Sequence, residues 1–456
     1  MATTIQTISD SVANELSKGL QGRVLHPGHA DYDAARALWN GMIDRSPGLI
    51  ARCVSTADVV HAVNVARLHE LPLAVRGGGH NAAGNASCDG GLVIDLSEMR
   101  AVTVDAEQRR ARAQGGATWA DFDAATQAHG LATTGGAIST TGIAGLTLGG
   151  GLGYLMRSFG LACDNLVAAE VVTADGAVVN ASESENADLL WGLRGGGGNF
   201  GVVTSLEYAL HPVGMQLAGL LVYPRERARD VLHFYRDFNA TAPDELTAFA
   251  ALMTLPDGAE VIALVVAWNG PLEEGEPALK PLREFGPPLA DMVQPMPYVA
   301  LQRMLDDGLP HGMQVYWRSD FLRGLEDEFI DIIIEHMAQS ASPLNIVLIE
   351  QLGGAVARVA DDATAFGHRD AAYNLAIIGR WGDPSEAEQH VAWARGLHAA
   401  IKPYARGVYV NYLGDEGEER VKAAYGAEMY DRLVALKNRY DPRNLFRLNQ
   451  NIKPTG

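Results

Sequence analysis

The sequence predicts an α+β protein: a glycine-rich first part, then an antiparallel sheet flanked by helices. Three observations carry this. The chain has 456 residues, enough for two or three domains. Up to residue 211, short apolar strands and helices are joined by loops dense in glycine, and beyond it the glycines thin out. Six strand-like runs and four helical ones then follow between 216 and 401, a grouping that suggests a sheet with helices packed on it. The expected divisions are 1–211, 212–404 and 405–456.

Taken in order, 8–20 reads as an amphipathic helix, 22–27 as a strand ending in a turn, 32–39 as helical and 51–54 as a strand. Ser55 or Thr56 can cap the next helix, and Asp58 sits in its first turn. A hydroxyl there accepts from a free amide, and an acid suits the positive end of the helix. Residues 73–76 form a buried strand that runs into the first glycine loop. This β-α-β unit carries its glycines after its second strand, whereas the dinucleotide fingerprint needs them after the first. Further strands are expected at 92–96, 102–104 and 110–113. Thr118 caps a helix over 119–129. Residues 167–173 and 177–179 form a hairpin through Ala174-Asp175-Gly176, followed by a short helix at 187–191 and a strand at 202–210. The second part holds strands at 216–223, 248–255, 261–268, 312–318, 346–352 and 373–380. Its helices fall at 226–239, 279–285, 325–340 and 385–401. The last stretch, 408–454, is expected to contain a strand and an amphipathic helix over 429–439.

Composition excludes several classes. The hydrophobic fraction is 47% and the charged fraction 20%, as in globular proteins. A net charge of −19 argues against nucleic acid or an anionic membrane as partner. No apolar run reaches the roughly 18 residues of a membrane span. Residues 1–18 lack the basic and then apolar pattern of a secretory signal, so a cytoplasmic protein is expected. The three cysteines, Cys53, Cys88 and Cys163, do not make a disulfide framework. No H-E-x-x-H or C-x-x-C occurs, so no metal site is expected. Phosphate-loop and nucleophile-elbow motifs are absent too. Gly196-Gly197-Gly198-Asn199-Phe200-Gly201 fits G-x-G-x-x-G by letter, but a strand follows it where that motif needs a helix.

The chemistry lies in two glycine-rich stretches. One reads Val75-Arg76-Gly77-Gly78-Gly79-His80-Asn81. The other, 135–160, holds nine glycines and runs on into Leu161-Ala162-Cys163-Asp164-Asn165. Glycine permits positive φ and lets main chain approach another surface. Exposed amides in such loops form anion-binding concavities. A large flat or phosphorylated ligand lying against main chain is the reading.

Arg76-Gly77-Gly78-Gly79-His80, Gly149-Gly150-Gly151-Leu152-Gly153-Tyr154 and Gly160-Leu161-Ala162-Cys163-Asp164-Asn165-Leu166 resemble the FAD-linked oxidases of the berberine bridge enzyme type. These belong to the vanillyl-alcohol oxidase superfamily with a PCMH-type FAD domain. Tyr409-Val410-Asn411-Tyr412 and the run from Asp441 to Ile452 resemble the terminal module of that family. The match spans roughly 35–211 and 405–454. It implies a two-subdomain PCMH-type FAD domain, an α+β substrate domain between its parts, and a C-terminal module that returns to the cofactor. It also implies FAD bonded twice, to His80 at the 8α-methyl and to Cys163 at C6. Main chain at Gly77–Asn81, with Arg76 and Gly84 beside it, should take the phosphates. Gly135, Thr140, Thr141, Gly142, Gly145, Gly150, Gly153 and Tyr154 should contact the cofactor. So should Asp164, Leu166, Gly198, Val203, Asn449 and Asn451, with Leu166 placed to affect oxygen access.

A flavin oxidase needs a base for the departing proton. A tyrosine serves if a neighbouring cation or hydrogen-bond donor lowers its pKa. Tyr412 is the first choice, Tyr409 the second, and Tyr154 a further lining residue. In a strand, Tyr409 and Tyr412 would point to opposite faces. Glu350 and Gln351, at a strand end, are candidates to bind substrate. The resulting expectation is oxidation of an alcohol, in an oligosaccharide or bulky secondary metabolite, with oxygen as acceptor and hydrogen peroxide as product. The assembly would be a monomer or homodimer. The alternatives are an FAD dehydrogenase, an amine oxidase of the 6-hydroxynicotine oxidase sort, and a flavin- or ligand-binding protein without turnover.

Overall fold

The computed structural model describes residues 8–340 and 342–455. The first seven residues, part of the polar N-terminal stretch, lie outside the described residues. Among the described residues no helix is long and apolar enough to cross a membrane.

The glycine-rich part builds two main sheets and a two-stranded pairing of Leu131–Ala132 with His211–Pro212. The first has four strands in the order Arg23–Leu25, Leu49–Arg52, Leu92–Asp95, Leu73–Arg76. Its last two pairings are parallel, which requires a crossover, and the helix Thr56–Leu68 supplies it. Ser55 caps that helix by accepting from the Asp58 amide. The fully buried Asp58 carboxylate accepts from the amides of Gln21, Gly22 and Val54, so a buried charge is satisfied and ties the N-terminal strand to the helix. The second sheet is antiparallel, in the order Val102–Asp105, Arg110–Gln114, Val202–Ala209, Leu166–Val172, Val178–Ser182. Thr118 and Asp121 form a reciprocal capping box at the start of Trp119–Gln127.

The second part is one antiparallel sheet of eight strands. All six strand runs expected there are in it. The short strands Ala290–Asp291 and Gln294–Pro297 extend its edge. Period-two alternation sends its side chains to two different neighbours. Ala248, Ala250 and Leu252 pack with the helices Ala228–Asn239, Asp327–Ala338 and Ala387–Ile401. Phe249 faces the other way and stacks on Tyr154 of the glycine-rich part at 5.7 Å. The sheet thus has helices on one face and the glycine-rich part on the other.

Three local expectations fail. The helix expected over 279–285 runs Leu272–Glu284, with Pro277 and Pro281 inside it. Two short helices, Ile143–Leu148 and Met156–Phe159, sit within the second glycine run, whose glycines conceal any helical periodicity. The strand expected after 408 is a single 3-10 turn, Val410–Tyr412. The β-branched and aromatic residues Val408, Tyr409 and Val410 favour a strand locally, but burial of Val408 and Val410 in the core decides otherwise.

Candidate active site

A long cavity runs between the two parts and encloses about 1800 Å³, its open mouth included. One wall is main chain. The two glycine stretches meet there back to back: a Cβ on Gly78 would come within 2.3 Å of the Gly142 nitrogen, and one on Gly142 within 2.4 Å of the Gly78 nitrogen. Only glycine allows this approach. Gly79 adds a φ of +70°. Among the described residues, the amides of Gly77, Gly78, Gly79, His80 and Asn81 donate to no other main-chain group. Five successive free amides on a cavity wall are what a diphosphate needs. Gly145 and Gly198 also line the cavity, and a Cβ on either would meet nothing within 4 Å. Leu73, Val75, Leu96, Val203 and Phe446 make an apolar lining. These residues fit a dinucleotide with a flat ring system.

His80 stands at the end of the cradle. Its ring stacks on Trp39 at 5.3 Å. The hydroxyls of Thr140 and Thr141 lie 3.0 Å from Nε2 and 3.5 Å from Nδ1. Burial, with His311 nearby, pulls its pKa down to about 4, so the imidazole is neutral. A neutral ring keeps the lone pair that bonding to a flavin methyl requires.

Cys163 does not reach the cavity. Its side chain is fully buried among Ala132, Leu152 and Leu161, and burial pushes the thiol well up. A thiol held protonated and out of reach is inert. Asp164 forms a two-pronged ion pair with Arg369 at 2.8 and 2.6 Å and accepts from the Leu161 amide. Asn165 donates to the carbonyls of Phe159 and Leu161. This motif is therefore a braced corner, not a flavin contact. Leu166 sits in the core with Trp119 and Ala169, and its carbonyl accepts from Arg194, so it lies behind the cavity wall. Among the described residues no cysteine lines the cavity, and the second glycine run presents Ile138 there. Of the two expected tethers, His80 lines the cavity and Cys163 does not.

Other expected cofactor residues act behind the wall. Arg76 reaches back to the Ala35 carbonyl. Gly84 takes a turn at φ +73°. A Cβ on Gly153 would overlap the Gly135 carbonyl, and one on Gly150 would strike Phe366. Thr140 acts through His80. Tyr154 packs on Phe249 and, like Asn451, does not line the cavity. Gln351 points to the helix side, where its Oε1 accepts from the Ala248 amide at 3.1 Å. Gly77, Gly78, Gly79, His80, Asn81, Thr141, Gly142, Gly145, Gly198, Val203 and Asn449 all lie on the wall.

The facing wall is made of side chains. Glu350 is 3% exposed. Its Oε1 accepts from the Tyr412 hydroxyl at 3.3 Å and its Oε2 from Asn374 Nδ2 at 2.6 Å. Burial pushes this carboxyl up to about 7, against the pull of those two donors. Burial and the nearby Glu350 charge push the Tyr412 phenol far above its usual value. Among the described residues no cation offsets this rise. Tyr409 is also raised by burial, and its oxygen accepts from the Gly151 amide and Asn411 Nδ2, both at 2.8 Å. Because the segment is a 3-10 turn and not a strand, both tyrosines reach the cavity, their rings 4.9 Å apart. Trp317 meets Tyr412 edge to face at 4.5 Å and Trp39 at 6.1 Å. Among the described residues no arginine or lysine lines the cavity. Sequence reading missed Gln450, although it lay in the terminal run 441–452, and Trp39 and Trp317, which carry no motif. Asn411 lay inside one.

A main-chain cradle for a dinucleotide, facing an acid and a phenol in an aromatic pocket, defines a flavin-dependent oxidoreductase. Comparison with known proteins agrees. An FAD binding domain family matches residues 47–182, and a berberine and berberine-like family matches 408–453. An FAD-linked oxidoreductase of Dictyostelium discoideum is 33% identical over 448 residues, covering 97% of both chains. The (R)-6-hydroxynicotine oxidase of Paenarthrobacter nicotinovorans is 32% identical, covering 98% of this chain and 100% of that one. The crystal structure of 6-hydroxy-D-nicotine oxidase from Arthrobacter nicotinovorans superposes with a TM-score of 0.89 at 31% identity, covering 97% and 99%. A chitooligosaccharide oxidase superposes at 0.86 and 24% identity, covering 98% and 100%, a likeness of fold. The chain belongs to the berberine bridge enzyme-like FAD-linked oxidoreductases, within the PCMH-type FAD-binding superfamily.

Proposed function

We propose that the protein is an oxidase that takes a hydride from a substrate carbon bearing a hydroxyl, passes the hydroxyl proton to the Tyr412–Glu350 pair, and uses oxygen as final acceptor to give hydrogen peroxide. The observation that carries this is the pair itself: a phenol 3.3 Å from a carboxyl held near neutrality, on the cavity wall. Bound FAD supplies the two-electron acceptor. His80 is its covalent anchor and the Gly77–Asn81 amides hold its phosphates. Tyr412 contacts the reacting hydroxyl and relays its proton, and Glu350 stores it. Among the described lining residues Glu350 is the one carboxylate, so it is the destination for that proton. Such a base works only when ionised. Glu350 is raised to about 7, so flavin reduction should rise with pH through about 7 and fall off on the acid side as Glu350 becomes protonated.

A second reading is oxidation of an amine. The carboxyl amid Trp39, Trp317 and Tyr412, with no cation on the cavity wall, suits a positively charged or aromatic nitrogen compound. The likeness to 6-hydroxynicotine oxidase points the same way. An anaerobic panel of oligosaccharides, bulky alcohols and cyclic amines, read by bleaching of the flavin, separates the two. Bleaching by alcohols supports the first reading, and by amines alone the second. Bleaching by neither favours a ligand-binding role. Peroxide yield on admitting air then separates an oxidase from a dehydrogenase.

A further inference from the structure

Glu350 is held by a line of buried side chains that runs away from the cavity into the sheet. It lies on Ile346–Gln351, directly opposite Asn374 on Tyr373–Trp381. Directly opposed residues project to the same face of a sheet. Asn374 in turn lies opposite Phe321, two residues from Ser319 on Gln314–Leu322, so Ser319 is its diagonal neighbour on that face. Asn374 and Ser319 are fully buried. The Tyr412 hydroxyl donates to Glu350 Oε1 at 3.3 Å, Asn374 Nδ2 donates to Oε2 at 2.6 Å, and Ser319 Oγ donates to Asn374 Oδ1 at 2.9 Å.

An amide nitrogen can only donate. As long as Nδ2 faces Glu350, Oε2 is kept as an acceptor, and a proton has room only on Oε1, the oxygen beside Tyr412. Ser319 fixes which way the amide faces, because its hydroxyl engages Oδ1. We propose that Asn374, oriented by Ser319, is a positioning residue that keeps Glu350 ionised and directs the substrate proton to the carboxyl oxygen facing the cavity. This rests on the reading of Glu350 as proton acceptor. The other titratable groups around Glu350 are Tyr154 from the glycine-rich part, Tyr235 from Ala228–Asn239, and Tyr409 and Tyr412 from the C-terminal turn. Burial raises all four phenols. His80, on the same cavity, is pulled down to about 4. Of these described groups, Glu350 is the one placed near neutrality.

The test is the pH dependence of anaerobic flavin reduction in the flavin-loaded enzyme, for wild type, Asn374→Leu, Ser319→Ala and Glu350→Gln. Losing one hydrogen bond to an ionised group should move the acid limb of Asn374→Leu upward by about one pH unit. Ser319→Ala should move it the same way by less. If Asn374→Leu does not fold, Ser319→Ala carries the test. A purely structural role would lower melting temperature but leave the limb in place, and that result overturns the proposal. Glu350→Gln separates the two claims. If it keeps the limb, the reading of Glu350 as base is wrong. If it loses the limb while Asn374→Leu leaves it unmoved, only the positioning role is wrong.

Discussion

The two walls of the cavity recognise their ligands by different means. The cofactor wall is main chain: Gly77–Asn81 against Thr141-Gly142, with amides as its chemistry. The substrate wall is side chains: Glu350 and Trp317 on strands, Tyr409 and Tyr412 on a turn. Main-chain recognition needs the absence of side chains, and that absence is visible in sequence as clustered glycine. Side-chain recognition on a buried strand uses residues that would suit a core equally well. Glu350 and Gln351 show the difficulty. They are adjacent acid and amide at a strand end, yet one turns to the cavity and its neighbour to the helices.

The sharpest way to break the contrast is Gly78→Val. Its Cβ would meet the Gly142 nitrogen at 2.3 Å, main chain that cannot move aside. The expected outcome is protein without bound flavin, read from the visible spectrum. Glu350→Gln comes next. It should keep its flavin fully and lose about a hundredfold or more in the rate of flavin reduction, the usual scale for a lost proton acceptor. If this variant reduces flavin at the wild-type rate, the substrate wall has been misread. Gln351→Leu is the smaller contrast. It leaves the Ala248 amide without its acceptor and should cost about 1–3 kcal/mol in stability, seen in denaturant unfolding, with little change in rate.

How much the sequence disclosed follows the same division. The glycine cradle, His80 and the terminal Y-x-N-Y were legible because each is a short motif with one physical meaning. Six of the eight strands of the large sheet were legible from alternation. That Cys163 is buried away from the cavity was not legible, because a cysteine in a family-like motif carries no sign of which way it faces, and here Gly160–Asn165 is a corner braced by Arg369 from far along the chain. Such a partner, 205 residues away, leaves no local trace. The same holds for Leu166. The orientation of Tyr409 and Tyr412 failed because a strand was expected where packing of Val408 and Val410 made a turn. Trp39 and Trp317 come from opposite parts of the chain, and their meeting is a product of the fold alone.

The central claim is that a main-chain cradle holds FAD and that His80 is its one side-chain anchor. The most direct measurement is the visible spectrum of the protein before and after acid precipitation, for wild type, His80→Ala and Cys163→Ala. Colour staying with the pellet in wild type and Cys163→Ala, and released from His80→Ala, is the predicted result. Colour retained by His80→Ala, or released from Cys163→Ala, would contradict it and restore the cysteine to the flavin.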